Sequence, residues 1–386
     1  MTRFVEPYHA RFLRVGLLES DRALAEWADL RPEVDLDTLW DRDAIRLLPL
    51  VYRALVTAGA DDPSLGRLKG VMRRAWYDNQ VLFHRVGSAL EALEGAGVRA
   101  MLLKGVPLAL ECYPEIGLRP MVDADILVEP HRAAAALEAM TAAGWPPVNP
   151  VDRPETRPYG EQMVHQVACV DSNGSAIDLH WRYVPWVARD GSGQDPGLWS
   201  RARPITVVGH RALAPGAEDL LLLVLLHAYR AGWATTPRWV ADVTFLVRAF
   251  GETIDWDLLV TRAIQGHLVL PVRDGLEYVW AEFDAPIPND VLFALARVKV
   301  GRWERRRHEV ASRETTGTRR PLVGELGDAR IGWARWSLNL TPSAAARSLP
   351  SFVTRRLGLD EPRQLPGAIA GRAWRNARAL YASPGE

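Results

Sequence analysis

The chain has almost no lysine and almost no cysteine. Of its 47 Lys and Arg residues only Lys69, Lys104 and Lys299 are lysines, so arginine-rich stretches reflect composition before they reflect function. Two cysteines, Cys112 and Cys169, in 386 residues are too few for a disulfide framework and fit a reducing cytoplasm. Neither sign of charge is in excess: 47 basic residues balance 47 acidic ones. That excludes a general electrostatic pull toward nucleic acid or an anionic membrane. The longest apolar run, LLLLVLL at Leu220 to Leu226, falls well short of the roughly 20 residues a spanning helix needs and reads as a buried helix. The opening MTRFVEPYHARFLRVG has charges mixed through it and lacks the apolar centre of a signal peptide. No G-x-x-x-x-G-K-[ST] loop and no G-x-G-x-x-G turn occurs, so a bound nucleotide would need other phosphate contacts. The expectation is a soluble cytoplasmic protein with no membrane partner and no general nucleic-acid affinity.

What is present is ordinary globular composition, 48% apolar and 24% charged, in a length that suggests two or three packed units. Residues 9 to 97 read as helical, since HARFLRVGLLESDRALAEWADL and RAWYDNQVLFHRVGSALEALEGAG repeat apolar residues at three- and four-residue spacing. VRAMLLKG and RPMVDADILVEP read as strands. Pro107 suits the first turn of a helix between them, and HRAAAALEAMTAAG reads as a helix ending at Gly144. The Asn-Gly of DSNG, inside EQMVHQVACVDSNGSAIDLHWRYV, signals a hairpin, and PITVVGHRALAP reads as another. From Ala217 to about Val298 the pattern is helical again. The tail from Gly301 is arginine-rich and reads as exposed, with GRWERRRH a solvated helix face rather than a nucleic-acid patch. The expected fold class is α+β: a small mixed β-sheet core over 98–215, flanked by an N-terminal helical region over 1–97 and a helical domain over 216–300. Residues 301–386 are expected to be helical or mobile.

The residues that carry chemistry lie in LLKGVPLALECYPEIGLRPMVDADILV, Leu102 to Val128. Side chains two apart on a strand share a face. Val122, Ala124, Ile126 and Val128 therefore face one side, and Asp123 and Asp125 project together from the other. Two carboxylates so close stay ionised only if a cation neutralises them. A hard divalent ion such as Mg²⁺, which prefers oxygen ligands, suits that need. Asp178 in SAIDLHW adds a third acid on a later strand, sharing its face with His180. Three carboxylates on neighbouring strands would hold two ions about 3.5–4 Å apart, a spacing suited to in-line phosphoryl displacement. A bare D-x-D is also a common polar strand end, so its company carries the reading.

That company, an L-K-G opening, then R-x-x-x-D-x-D-x-L-V and a later I-D-L-H, resembles an uncharacterised nucleotidyltransferase family of the DNA polymerase β-like nucleotidyltransferase superfamily. The resemblance covers roughly Val98 to Trp181, with a weaker echo in HAYRAGW and RWVADVTFLV. Lys104–Gly105 stands where the commoner superfamily signature has a Gly-Ser pair. The resemblance implies that Asp123, Asp125 and Asp178 are catalytic and bind two Mg²⁺ ions, with Mn²⁺ as an alternative. It implies nucleotide and phosphate contacts at Lys104, Gly105 and Arg119. Arg119 would otherwise order the loop before its strand. His180, His227, Arg238 and Asp242 are the candidates for an acceptor pocket. Against this, His180 reads as structural, His227 and Asp242 read as a buried pair joining two helices, and Trp239 as core.

The implied reaction moves a nucleoside monophosphate from an NTP such as ATP to an unidentified acceptor (a peptide, RNA, protein or small molecule) and releases pyrophosphate. Two rivals stand beside it. A D-x-D glycosyltransferase would use a sugar nucleotide but would place alternating strands and helices ahead of the motif. A non-catalytic nucleotide-binding or interaction protein would not need all three acids.

Overall fold

The computed structural model describes residues 4–148, 166–182, 197–312, 330–334, 337, 342–356, 361–367 and 369–370. The helical N-terminal region resolves into α1 (Pro7–Leu17), α2 (Ser20–Leu30), α3 (Arg42–Thr57) and α4 (Leu65–Gly95). Proline in the first turn opens α1, where its missing N–H is no loss. Asp41 starts α3 by accepting from the amides of Asp43 and Ala44, which satisfies two of the donors left over at a helix start. Leu47, Leu48, Val51 and Leu55 then fall on one buried stripe. Gly16 lets α1 cross close over α3, since a Cβ there would sit 2.7 Å from Leu50 Cβ.

The sheet is built from β1 (Met101–Leu103), β2 (Asp123–Leu127), β3 (Gln166–Val170), β4 (Ala176–His180), β5 (Arg203–Val207) and β6 (His210–Ala214). Its order is β3-β4-β2-β1-β6-β5. β2 pairs antiparallel with β1 and parallel with β4, while β6 joins β1 in parallel. Both hairpins foreseen in the sequence form. The turn of the second rests on Val208 and Gly209, both at positive φ (48° and 86°). Between β1 and β2 a short turn, α5 (Gly105–Pro107), runs into one wider helical turn over Leu108–Cys112.

The sheet is apolar on one whole face. Leu102, Ala124, Ile126, Val128, Val167, Cys169, Ile177 and Leu179 pack there against Leu82, Val86, Leu90 and Leu93 of α4 and against α6 (Ala133–Ala142). The other face is apolar only at one end, where Met101, Leu103 and Leu127 meet Leu223. Leu223 lies on α7 (Ala217–Ala231), the helix of the long apolar run. The rest of that face is where the charged side chains stand. Beyond α7 follow α8 (Trp239–Phe250), α9 (Trp256–Gln265), α10 (Val269–Phe283), α11 (Asn289–Arg297) and α12 (Arg302–Ala311), with a further helix over Pro342–Arg356. Helices α7 to α12 share one core with α1 and α3. Phe4 closes part of it, stacking on Tyr278 at 4.6 Å and tilting against Trp233 at 5.4 Å. Trp239, only 3% exposed, is packed 4.6 Å from Trp233. No helix among the described residues is long and apolar enough to cross a membrane.

Two expectations need correction. Val122 does not share the apolar face with Ala124: the strand starts at Asp123, and Val122 is 60% exposed. The arginine-rich α12 is a solvated face only in part: Arg302, Arg305 and Arg306 are exposed, but Glu304 and Arg307 are buried, and Arg307 donates to the carbonyls of Ser337 (2.9 Å) and His267 (3.0 Å). His308 bridges Tyr229 and Asp274 at 2.9 and 2.8 Å. Carbonyl partners let a guanidinium be buried without an apolar pattern to announce it. Residues 313–329 of the tail lie outside the described residues.

Candidate active site

The charged end of the sheet floors a cavity of about 590 Å³, well inside the roughly 300–1,000 Å³ range of small-molecule sites. Parallel pairing sets Asp125 directly beside Asp178 and Leu127 beside His180. The period of two then brings Asp123, Asp125, Asp178 and His180 to one face. All four line the cavity, together with Lys104, Gly105, Arg119, His227, Arg238 and Asp242. Every residue singled out in the sequence for the site therefore borders one space. Their contacts divide them.

Asp125 is the centre. Its Oδ1 accepts from Lys104 Nζ at 2.9 Å and from His180 Nε2 at 2.9 Å. Burial alone would raise its pKa, but the Lys104 ammonium and the His180 hydrogen bond outweigh that and hold it far below the usual carboxylate range. Asp178 is shifted the opposite way. Burial raises its proton affinity, and the charges of Asp125 and Asp123 add to this against the pull of His180 and Lys104. Gln166 on β3 donates to Asp178 Oδ2 at 2.7 Å. Asp125, Asp178 and His180 each offer an atom to a group within 4.8 Å, a set that fits a metal ion. Asp123, at the exposed start of β2, stands outside this tight group, toward the cavity.

Lys104 is held oddly. It takes φ +45° and ψ −98°, a region L-residues rarely enter and one that stores about 1–3 kcal/mol of strain. The bend turns the chain from β1 into α5 beside Asp125. Gly105 follows in a tight place: a Cβ there would lie 3.0 Å from Arg119 Nη1 and 3.1 Å from Met121 Sδ, so those side chains would have to give by a few tenths of an ångström.

Arg119 does not offer its fork to the cavity. Nε and Nη2 donate to the two oxygens of Asp242 at 2.8 and 2.9 Å, and Tyr113 Oη donates to Oδ1 of the same residue at 2.7 Å. Burial would raise Asp242, but Arg119 wins and keeps it below the ordinary range. The pairing of His227 with Asp242 is therefore corrected: the partner of Asp242 comes from the loop before β2, where bidentate geometry suits a guanidinium. His227 instead projects toward the cavity. Its ring is open to that space but otherwise hemmed in by protein, and burial pushes its pKa down to about 3, with Lys104 adding to the shift. It is a neutral donor or acceptor. Arg238 donates to the carbonyl of Pro120, and burial followed by repulsion from Arg119 lowers it to about 10.

Several residues of the site went unread in the sequence. Asn79, fully buried on α4, donates to the carbonyls of Ile116 (2.6 Å) and Arg119 (2.9 Å) and accepts from the amide of Met121 (3.0 Å). It bolts the loop before β2 to the helix. A polar residue on the apolar stripe of α4 is the only sequence signal for it. Gln166 was legible in principle, because a hairpin turning at DSNG places it opposite His180. Asp43 and Arg46 of α3 and Arg230 of α7 also line the cavity, and nothing local marks them.

Cys112 and Cys169 are buried and free. Burial pushes both thiols up to about 12, helped by Glu111 and Asp178 respectively. Both are expected to resist iodoacetamide at pH 8 in the native protein and to react fully in denaturant. Mass spectrometry of the labelled protein checks this.

No curated protein and no solved structure matches the chain. Residues 32–283, which contain every cavity-lining side chain described above, match a family model described as uncharacterised nucleotidyltransferase, and the chain belongs to that family.

Proposed function

We propose that this cavity transfers a nucleoside monophosphate from an NTP to an acceptor hydroxyl in the cytoplasm, with Mg²⁺ as the resident metal. The carrying observation is the β2–β4 register, which sets Asp125 against Asp178 with Asp123 on the same face. The donor set fits a hard divalent ion: carboxylate oxygens converge, and Asp125 already draws two positive or polar hydrogens to one oxygen. Asp123, Asp125 and Asp178 would hold the metal, with His180 orienting Asp125. An imidazole beside the set makes Mn²⁺ an acceptable substitute. When bound, such ions supply charge neutralisation for the triphosphate and for the developing transition state.

The chain's own groups do the rest. Asp178, set beside Asp125 by the strand register, would take the acceptor proton, and Gln166 donates to its Oδ2, which leaves the other oxygen to receive it. The acceptor oxygen bonds to the α-phosphorus as the bond to pyrophosphate breaks. Neutral His227 and the Arg46, Arg230 and Arg238 guanidiniums face the space left for acceptor and nucleotide. Trp239 is too buried to stack on a base. Ahead of Asp123 the described residues form the helices α1–α4, the short strand β1 and the turn α5, unlike the alternating fold that a D-x-D glycosyltransferase would place there.

Incubating the protein with α-³²P-labelled NTPs, Mg²⁺ and cell extract is expected to label one class of molecule and release pyrophosphate. Omitting the divalent ion with EDTA is expected to abolish the label. Absence of label and of pyrophosphate with every common NTP would remove this reading.

A further inference from the structure

Among the described residues Asp125 carries its own cation. The Lys104 ammonium lies 2.9 Å from Oδ1, and the two side chains are only 18% and 12% exposed. The residue holding it there sits at φ +45° although it is not glycine. The carboxylate that would ligate a metal is thus already neutralised, and Gln166 occupies one oxygen of Asp178. Lys69 and Lys299 are exposed elsewhere. In a chain that otherwise uses arginine, a lysine at this place is informative. A guanidinium would grip the carboxylate with two parallel bonds, whereas an ammonium on a flexible stem can swing off a single contact.

From this geometry, and resting on the function proposed above, we infer that Lys104 is an exchangeable counter-cation: it leaves Asp125 when a divalent ion enters and passes to a phosphate of the incoming nucleotide. Without nucleotide, the displaced ammonium would give up its 2.9 Å carboxylate contact in a largely buried site and compete with the ion for the remaining acids, which opposes ion entry. With nucleotide it trades a carboxylate for a phosphate. Ion and nucleotide therefore tighten each other's binding, and the coupling is reciprocal. The same residue offsets part of the repulsion between the adjacent acids.

The scarcity of lysine makes the exchange observable. A sample labelled with ¹⁵Nζ and ¹³Cε lysine gives three side-chain signals, and Lys104→Met identifies the relevant one by its loss. Should that variant fold poorly, Lys104→Gly, which relieves the positive φ, serves instead. The Lys104 signal is expected to stay nearly fixed with Mg²⁺ alone and to shift clearly when α,β-methylene ATP, which cannot release pyrophosphate, is added with it. Calorimetry with Mn²⁺ and no nucleotide is expected to show about tenfold tighter ion binding in the Lys104 variant, with Mn²⁺-saturated α,β-methylene ATP binding about tenfold weaker. A nucleotide that binds while the Lys104 signal does not move overturns the exchange and leaves the proposed function standing. Full displacement by Mg²⁺ alone also overturns it. No nucleotide binding by calorimetry overturns both.

Discussion

Asp125→Asn is expected to lower nucleotidyl transfer by about three orders of magnitude while the protein stays folded. Losing one preorganised electrostatic contact to a transition state costs about 10²–10³ in rate, and in the proposed site Asp125 would serve the metal as well as Lys104. The asparagine oxygen can still accept from His180, so the sheet register survives. The Lys104 ammonium, however, would face a neutral group in a mostly buried site, at about 1–3 kcal/mol of stability. The sign with pH follows from the depressed pKa of Asp125 in the fold. Its stabilising charge is fully present above the ordinary carboxylate range and is lost only as pH falls through the lower, native value. Wild type and variant should therefore differ in melting temperature at neutral pH and converge only in strong acid. Pyrophosphate release and thermal melts monitored by circular dichroism test both halves. Full activity in Asp125→Asn, or in Asp123→Asn and Asp178→Asn alike, would end the argument for a metal-carboxylate site.

The second large effect concerns the pair that sequence reasoning assigned elsewhere. Arg119→Leu is expected to destabilise the protein by about 3–5 kcal/mol, since it leaves the Asp242 carboxylate buried without its cation. Asp242→Leu should cost a similar amount by stranding the guanidinium and the Tyr113 hydroxyl. The double variant, Arg119→Leu with Asp242→Leu, should recover much of the loss because both charges go together. Chemical denaturation of the three variants measures this. If Arg119→Leu instead kept its stability and lost nucleotide affinity, the fork would be a phosphate ligand after all, and the Asp242 contact incidental.

What could be read in the sequence was what depends on local periodicity. Alternation put Asp123 with Asp125 and Asp178 with His180 on common faces, because a strand's period of two acts on neighbours in the chain. It misplaced Val122, since alternation does not say where a strand begins. The turn signal at DSNG located the β3–β4 hairpin for the same local reason. The parallel pairing of β2 with β4 joins residues more than fifty positions apart, and no spacing encodes it. The sequence offered Asp178 as a third acid on a later strand, and the family resemblance implied the same grouping, but the pairing itself could not be read from periodicity. Tyr113, Arg119 and Asp242 come from a turn, a loop and a helix, so the sequence offered Asp242 an equally plausible but wrong neighbour in His227. Arg307 was misread because its partners are carbonyl groups, which are present at every position and therefore mark none.

The aromatic contact made by Phe4 has a consequence for where this protein can be cut. The family match begins at residue 32, yet Phe4 rests on Tyr278 and Trp233, and α1 and α2 precede that limit. A fragment trimmed to the matched span would bare these rings and the stripe of α3 that α1 covers. The limits of the family match are thus not the limits of the packed core: residues ahead of the matched span roof over rings that lie within it.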